Sequence, residues 1–122
     1  MANIIVADDE PFLVMVLKDS LEKVGHKVTA ASTGAEAIKL IRKKLPDLII
    51  LDMTFPDMDG LQIVGALKVD EKTAKIPILM CTGKDTVSDV DASFKLGVVG
   101  YIVKPFELER VRKKIDEILS NR

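Results

Sequence analysis

The stretch NIIVADDEP, residues 3–11, runs from an apolar segment directly into Asp8, Asp9 and Glu10, and then a proline. A short run rich in Val and Ile suits a strand buried on both faces, as in parallel sheets. Adjacent carboxylates at the end of such a strand repel one another, so this end needs positive charge from somewhere. Pro11 suits the first position of a helix, with Asp9 or Glu10 before it as the capping residue. The stretch therefore reads as a strand, an acidic turn and the start of a helix.

The same unit recurs along the chain. Apolar runs at residues 27–31, 47–51, 76–80 and 99–103 alternate with segments of helical period. Leu13, Val16, Leu17, Leu21 and Val24 mark one helical face, and Ile38, Ile41 and Leu45 the next. Val64 and Leu67 mark a third, Val87, Val90 and Phe94 a fourth, and Leu108, Val111, Ile115 and Ile118 a fifth. Gly25 can close the first helix, Thr33 and Glu36 have capping-box spacing for the second, and Pro46 blocks its continuation. Pro77 is tolerable only near the start of its strand. Strict alternation predicts an α/β fold: a doubly wound (βα)5 domain, its five-stranded parallel sheet covered by helices on both faces and joined by right-handed crossovers. For five strands the expected order is the flavodoxin-like 2-1-3-4-5, since a closed barrel needs eight.

The totals agree with a single domain over residues 1–122. Apolar residues make up 48% of the chain, enough for a core, and the formal net charge is −1. No global field therefore favours direct binding to nucleic acid or an anionic membrane. Arg110, Arg112, Lys113 and Lys114 cluster near the end, as a solvated helix face or a contact for a partner. One cysteine excludes an internal disulfide, the start lacks a signal-peptide layout, and no apolar run approaches a membrane span. A soluble, cytoplasmic protein is expected.

In an open parallel sheet, function gathers at the carboxyl ends of the strands, near the reversal of strand order. The first strand ends in Asp8 and Asp9, the third in Asp52, the fourth in Thr82 and the fifth in Lys104. Each residue alone has an ordinary explanation: a helix cap, a turn residue or a surface lysine. Together they bring three carboxylates, a hydroxyl and an ammonium to one edge. Three acids facing one lysine are not self-neutralising, and an oxygen-ligated Mg²⁺ would relieve the repulsion. Metal and lysine can neutralise a transferring phosphoryl group while a hydroxyl donates to it, and Asp52 is placed to be the nucleophile.

The set DD after the first strand, DMTFPDMDG after the third, TG after the fourth and YIVKPF at the fifth resembles the receiver domain of response regulators. The match spans residues 3 to about 119; each motif alone is weak, but the ordered set is specific. The resemblance implies that Asp52 is the phosphoacceptor and that Asp9 and Asp52 ligate Mg²⁺ directly. It implies that Asp8 acts largely through water and that the Thr54 backbone carbonyl is a further ligand. Lys104 would pair with one phosphoryl oxygen and Thr82 would hydrogen-bond another, while Gly83 leaves room for the group. Lys104–Pro105 would be a cis peptide. Tyr101 occupies the aromatic switch position, although a strand tyrosine with a wet hydroxyl is the plainer alternative. Thr82 would move toward the phosphoryl group and Tyr101 turn inward, reshaping the surface of the fourth helix, fifth strand and fifth helix. Thr54 and Lys84 occupy positions that tune phosphoryl lifetime in the family.

Other chemistries lack support. His26 and Cys81 fall at opposite sheet edges, and neither a P-loop nor GxGxxG is present. Three functional classes remain: a signalling phosphoacceptor, a Mg²⁺-dependent phosphohydrolase working through an aspartyl-phosphate, and a non-phosphorylated interaction module. The first is the expectation; it is a self-modifying phosphoacceptor rather than a conventional turnover enzyme. The haloacid dehalogenase nucleophile motif is not matched by DDEPF, and retention of all five site residues counts against the interaction module. With His26 at the wrong edge, the donor phosphohistidine would come from a sensor histidine kinase or a histidine phosphotransfer protein. If the chain is the full-length product, with no output domain after the fifth helix, it is expected to act by binding a downstream protein or by forming a homodimer. A piece cut from a longer sensor or transcription factor would serve that protein instead.

Overall fold

The structure is a computed structural model and describes residues 1–121. The opening run forms strand β1 (Asn3–Ala7), followed by helix α1 (Pro11–Lys23) and strand β2 (Lys27–Ala31). Next come α2 (Gly34–Lys44), β3 (Leu48–Leu51), α3 (Gly60–Lys68), β4 (Ile78–Thr82), α4 (Val87–Lys95), β5 (Gly100–Val103) and α5 (Leu108–Ser120). All strand pairs are parallel and their order is β2-β1-β3-β4-β5, the flavodoxin-like arrangement expected from the alternation.

Alternate strand residues serve opposite faces, as the two-residue period requires. Ile5, Ala7, Ile49, Leu51, Ile78 and Met80 pack with Ala37 and Ile41 of α2 and with Ile63, Val64 and Leu67 of α3. Ile4, Val6, Leu48, Ile50, Leu79, Cys81 and Ile102 pack with Leu17 and Leu21 of α1 and with Val111 and Ile115 of α5. The strands are thus buried on both sides, and only their ends and the loops remain open to chemistry.

Some expectations shift. The run at 76–80 becomes a strand only from Ile78, because the Ile76 N–H bonds Thr73 in the preceding turn. Gly25 closes α1 with φ +95°, whereas α2 ends on Leu45, a non-glycine residue at φ 47°. Val24 and Leu45 sit at helix ends and are exposed. Val87, 85% exposed, and Phe94 also face solvent, and the buried residue of α4 is Ser93. A helical period locates an apolar stripe without saying which side meets the sheet. Thr33 Oγ1 accepts the Glu36 N–H at 3.2 Å, but the Glu36 carboxylate takes the Ser32 N–H at 2.8 Å, so the box does not close on Thr33. A closed capping box does start α3, between Asp59 and Gln62. Among the described residues, no helix is long and apolar enough to cross a membrane.

Candidate functional site

The backbone of the site extends the sheet by one residue past β1, β3 and β5. Asp8 N–H bonds Ala31 at 3.0 Å, Asp52 N–H bonds Ala7 at 3.0 Å, and Lys104 N–H bonds Thr82 at 2.8 Å. Each chemical side chain therefore leaves a backbone already held by the neighbouring strand. Flexible loops could not fix three side chains relative to one another in this way.

Lys104 Nζ lies 2.8 Å from Asp8 Oδ2, 2.8 Å from Glu10 Oε2 and 3.2 Å from Asp52 Oδ2. Asp52 Oδ1 also accepts its neighbour Met53 N–H at 2.7 Å, and Asp8 Oδ1 accepts the Glu10 N–H at 3.0 Å. Asp8 and Asp52 are buried, while Asp9 is exposed. Burial raises the Asp8 carboxyl above its ordinary value, against the lowering effects of Lys104 and the Glu10 N–H, with the Asp52 charge raising it further. Burial alone would lower the Lys104 ammonium. Its bonds to Asp8 and Glu10 and the charges of Asp8 and Asp52 outweigh that and hold it well above the usual lysine range. Carboxylate oxygens of Asp8, Asp9 and Asp52 all lie within 4.8 Å of one another, and this set could hold a metal ion. Three hard oxygen donors and an excess of negative charge fit a cation such as Mg²⁺ rather than a soft metal.

A cavity of about 670 Å³ opens over Asp52, its walls including Glu10, Thr54, Thr82, Gly83 and Lys104. Thr82 is buried, and its Oγ1 accepts the Lys84 N–H at 3.3 Å. Gly83 faces open space, with no atom within 4 Å of where a Cβ would stand. The Lys104–Pro105 peptide is cis. Tyr101 is partly exposed, and its hydroxyl donates to the Lys84 carbonyl at 2.6 Å, tying β5 to the loop after Thr82. The site residues named from the sequence thus gather at one edge, with Tyr101 beside it.

The sequence matches the response regulator receiver domain over residues 4–116. The chain belongs to this family. Protein PilH of Pseudomonas aeruginosa is 33% identical over 120 residues, covering 98% of this chain and 99% of PilH. Chemotaxis protein CheY of Bacillus subtilis is 36% identical over 119 residues, covering 97% and 98%. The alkaline phosphatase synthesis transcriptional regulatory protein PhoP of Bacillus subtilis is 38% identical over 117 residues, but the receiver chain spans only 48% of it. Among solved structures, a CheY-like receiver domain protein from Methanospirillum hungatei superposes with a TM-score of 0.93 at 26% identity, covering 99% of this chain and 95% of that one. Vibrio cholerae CheY4 does so with 0.91 at 29% identity, covering 97% and 98%.

Two features of this receiver domain escaped the sequence. Glu10, read there as a helix starter, makes no side-chain cap and binds Lys104 instead. Asp57 accepts the N–H groups of Gly34 at 2.8 Å and Ala35 at 2.9 Å, anchoring the loop after β3 to the start of α2. Neither partner is near in sequence, so local pattern holds no signal for either bond.

Proposed function

We propose that Asp52 accepts a phosphoryl group from a phosphohistidine on a partner protein, and that the modified chain then presents an altered surface to its target. The observation that carries this is the placement of Asp52, Lys104 and Thr82 around one open cavity beside the acidic cluster. An Asp52 oxygen attacks the phosphorus, the P–N bond breaks, and the imidazole leaves with the electron pair and takes a proton from solvent. Lys104 neutralises one phosphoryl oxygen, the Thr82 hydroxyl donates to another, and Gly83 leaves the space unfilled. Attack by water on the acyl phosphate later returns Asp52, so the chain catalyses its own loading and unloading without acting on a separate substrate.

Asp9 and Asp52 would hold Mg²⁺ directly, with Asp8 acting through water and the Thr54 carbonyl completing the protein ligands. When bound, the ion supplies positive charge to the transferring phosphoryl group. The family works with histidine kinases and downstream targets, and this chain's one histidine supports an external donor. His26 precedes β2 at the far edge, where its Nδ1 accepts the Ala2 N–H at 3.2 Å. A sensor histidine kinase or a histidine phosphotransfer protein in the cytoplasm fits that role.

Output follows from Tyr101. As Thr82 moves toward the phosphoryl group, the Lys84 carbonyl that receives the Tyr101 hydroxyl moves with its loop, and Tyr101 turns inward. The surface of α4, β5 and α5, where Phe94 and Val99 are exposed, then changes shape for a downstream protein or a second copy of the chain. Incubation with acetyl phosphate and Mg²⁺ should add one phosphoryl mass to the wild type and none to Asp52→Asn. Unchanged mass of the wild type with metal present would overturn the reading. Multiple turnover of general phosphomonoesters would replace it with a phosphohydrolase.

A further inference from the structure

Glu10 stands at the start of α1 with an extended backbone, where a carboxylate commonly accepts the free N–H groups of the first turn. It makes no such bond. Its carboxylate reaches Lys104 instead, at 2.8 Å. An ammonium carries three protons. Asp8, Glu10 and Asp52 stand at 2.8, 2.8 and 3.2 Å from Nζ and take one each. Lys104 therefore has no proton to spare, and a phosphoryl oxygen arriving on Asp52 has to displace one of the three.

The three carboxylates are not equally easy to release. The Asp8 side chain is 4% exposed and also holds the Glu10 N–H, so freeing it from Lys104 strands a desolvated charge. Asp52 is the group being modified. The Glu10 side chain is 58% exposed and forms part of the cavity wall over Asp52, so water solvates it as soon as it leaves. We infer that Glu10 is an exchangeable counter-ion of Lys104, holding the ammonium in the resting chain and swinging into solvent as the phosphoryl oxygen takes its place. It acts through Lys104 as a positioning residue, and the inference rests on the reading of Asp52 as phosphoacceptor.

Breaking the Glu10 pair slows phosphorylation, so Glu10→Gln, which keeps the shape and removes the charge, speeds it. Exposed ion pairs contribute about 0.2–1 kcal/mol, equivalent to an acceleration of about 1.4- to 5-fold. The experiment compares initial rates of acetyl phosphate modification for the wild type, Glu10→Gln, Lys104→Met and the double variant, each at low salt and at about 1 M salt, where surface pairs are screened. The expected result is an acceleration by Glu10→Gln at low salt that vanishes at high salt and in the Lys104→Met background. A Glu10→Gln rate equal to or below that of the wild type overturns the inference. So does an equal acceleration without Lys104, which would mean that the lost charge acts on the donor directly. A wild type that takes no phosphoryl group overturns the reading of Asp52 and this inference with it. A modified wild type with no gain in Glu10→Gln overturns the counter-ion alone.

Discussion

Two glycines in α3 should respond to the same substitution with opposite signs. A Cβ built on Gly60 would stand 2.4 Å from the Asp52 carbonyl oxygen and 2.6 Å from Met53 Cα, where ordinary contact begins at 3.4 Å. Both obstacles are backbone, so Gly60→Ala must push the loop after β3 away by about 1 Å. The Gly60 N–H also bonds the Met53 carbonyl at 2.6 Å, and that bond stretches with the same movement. Overpacking of this kind costs about 1–3 kcal/mol and the weakened hydrogen bond about 1 more, for a total of about 2–4 kcal/mol. At about 3–5 °C per kcal/mol for a chain of this length, Tm should fall by about 6–20 °C. Gly65, five residues on, has no atom within 4 Å of its Cβ position and lies in the helix interior. There Gly65→Ala should gain about 0.5–1 kcal/mol from the reduced freedom of the unfolded chain. Thermal and urea unfolding followed by circular dichroism would compare the three proteins. Since the displaced atoms belong to Asp52 and its neighbour, Gly60→Ala should also slow modification well below its Tm. A Gly60→Ala Tm within about 1 °C of the wild type, or two shifts of the same sign, would refute the packing argument.

Burial pushes the Cys81 thiol up to about 12, so it should stay protonated near neutrality. Iodoacetamide at about pH 8 should label it only after urea is added, and labelling of the native protein at a free-thiol rate would contradict this burial. The Ala35 and Gly34 N–H groups hold the Asp57 carboxyl below its ordinary 3.8. A folded value below the unfolded one means that the stabilisation is complete above the unfolded value and is lost as the pH falls through the folded one. Asp57→Ala should therefore lower the urea midpoint at about pH 6, with the gap to wild type narrowing as the pH drops below 3.8. A gap that stays constant down to about pH 3 would remove the carboxylate as its cause.

Much of the fold was legible because parallel strands buried on both faces leave continuous Val/Ile/Leu runs, and all of these runs but the second lead into a candidate site residue. Asp8, Asp52, Thr82 and Lys104 could be placed at one edge from strand ends and a strand order alone. The orientation of α4 was not legible. Val87 and Phe94 keep helical spacing, yet Ser93 is the residue buried, with its hydroxyl against Met53, because spacing defines a stripe but not its rotation against a neighbour. Leu45 was marked as a core position but became a left-handed helix end, since the turn into Pro46 decides its backbone.

The sequence by itself determined the alternation of strands and helices, through local period, and the family, through an ordered set of motifs whose residues fall at the strand ends. Only the tertiary structure decided how the charges at the NIIVADDEP edge are apportioned. Lys104, nearly a hundred residues away from Asp8 and Glu10, reaches Asp8, Glu10 and Asp52 together because β1, β3 and β5 end at the same sheet edge. That meeting turned Glu10 from a helix starter into a partner of Lys104. Long-range hydrogen bonds of a side chain depend on where distant strands end, and no local pattern records that.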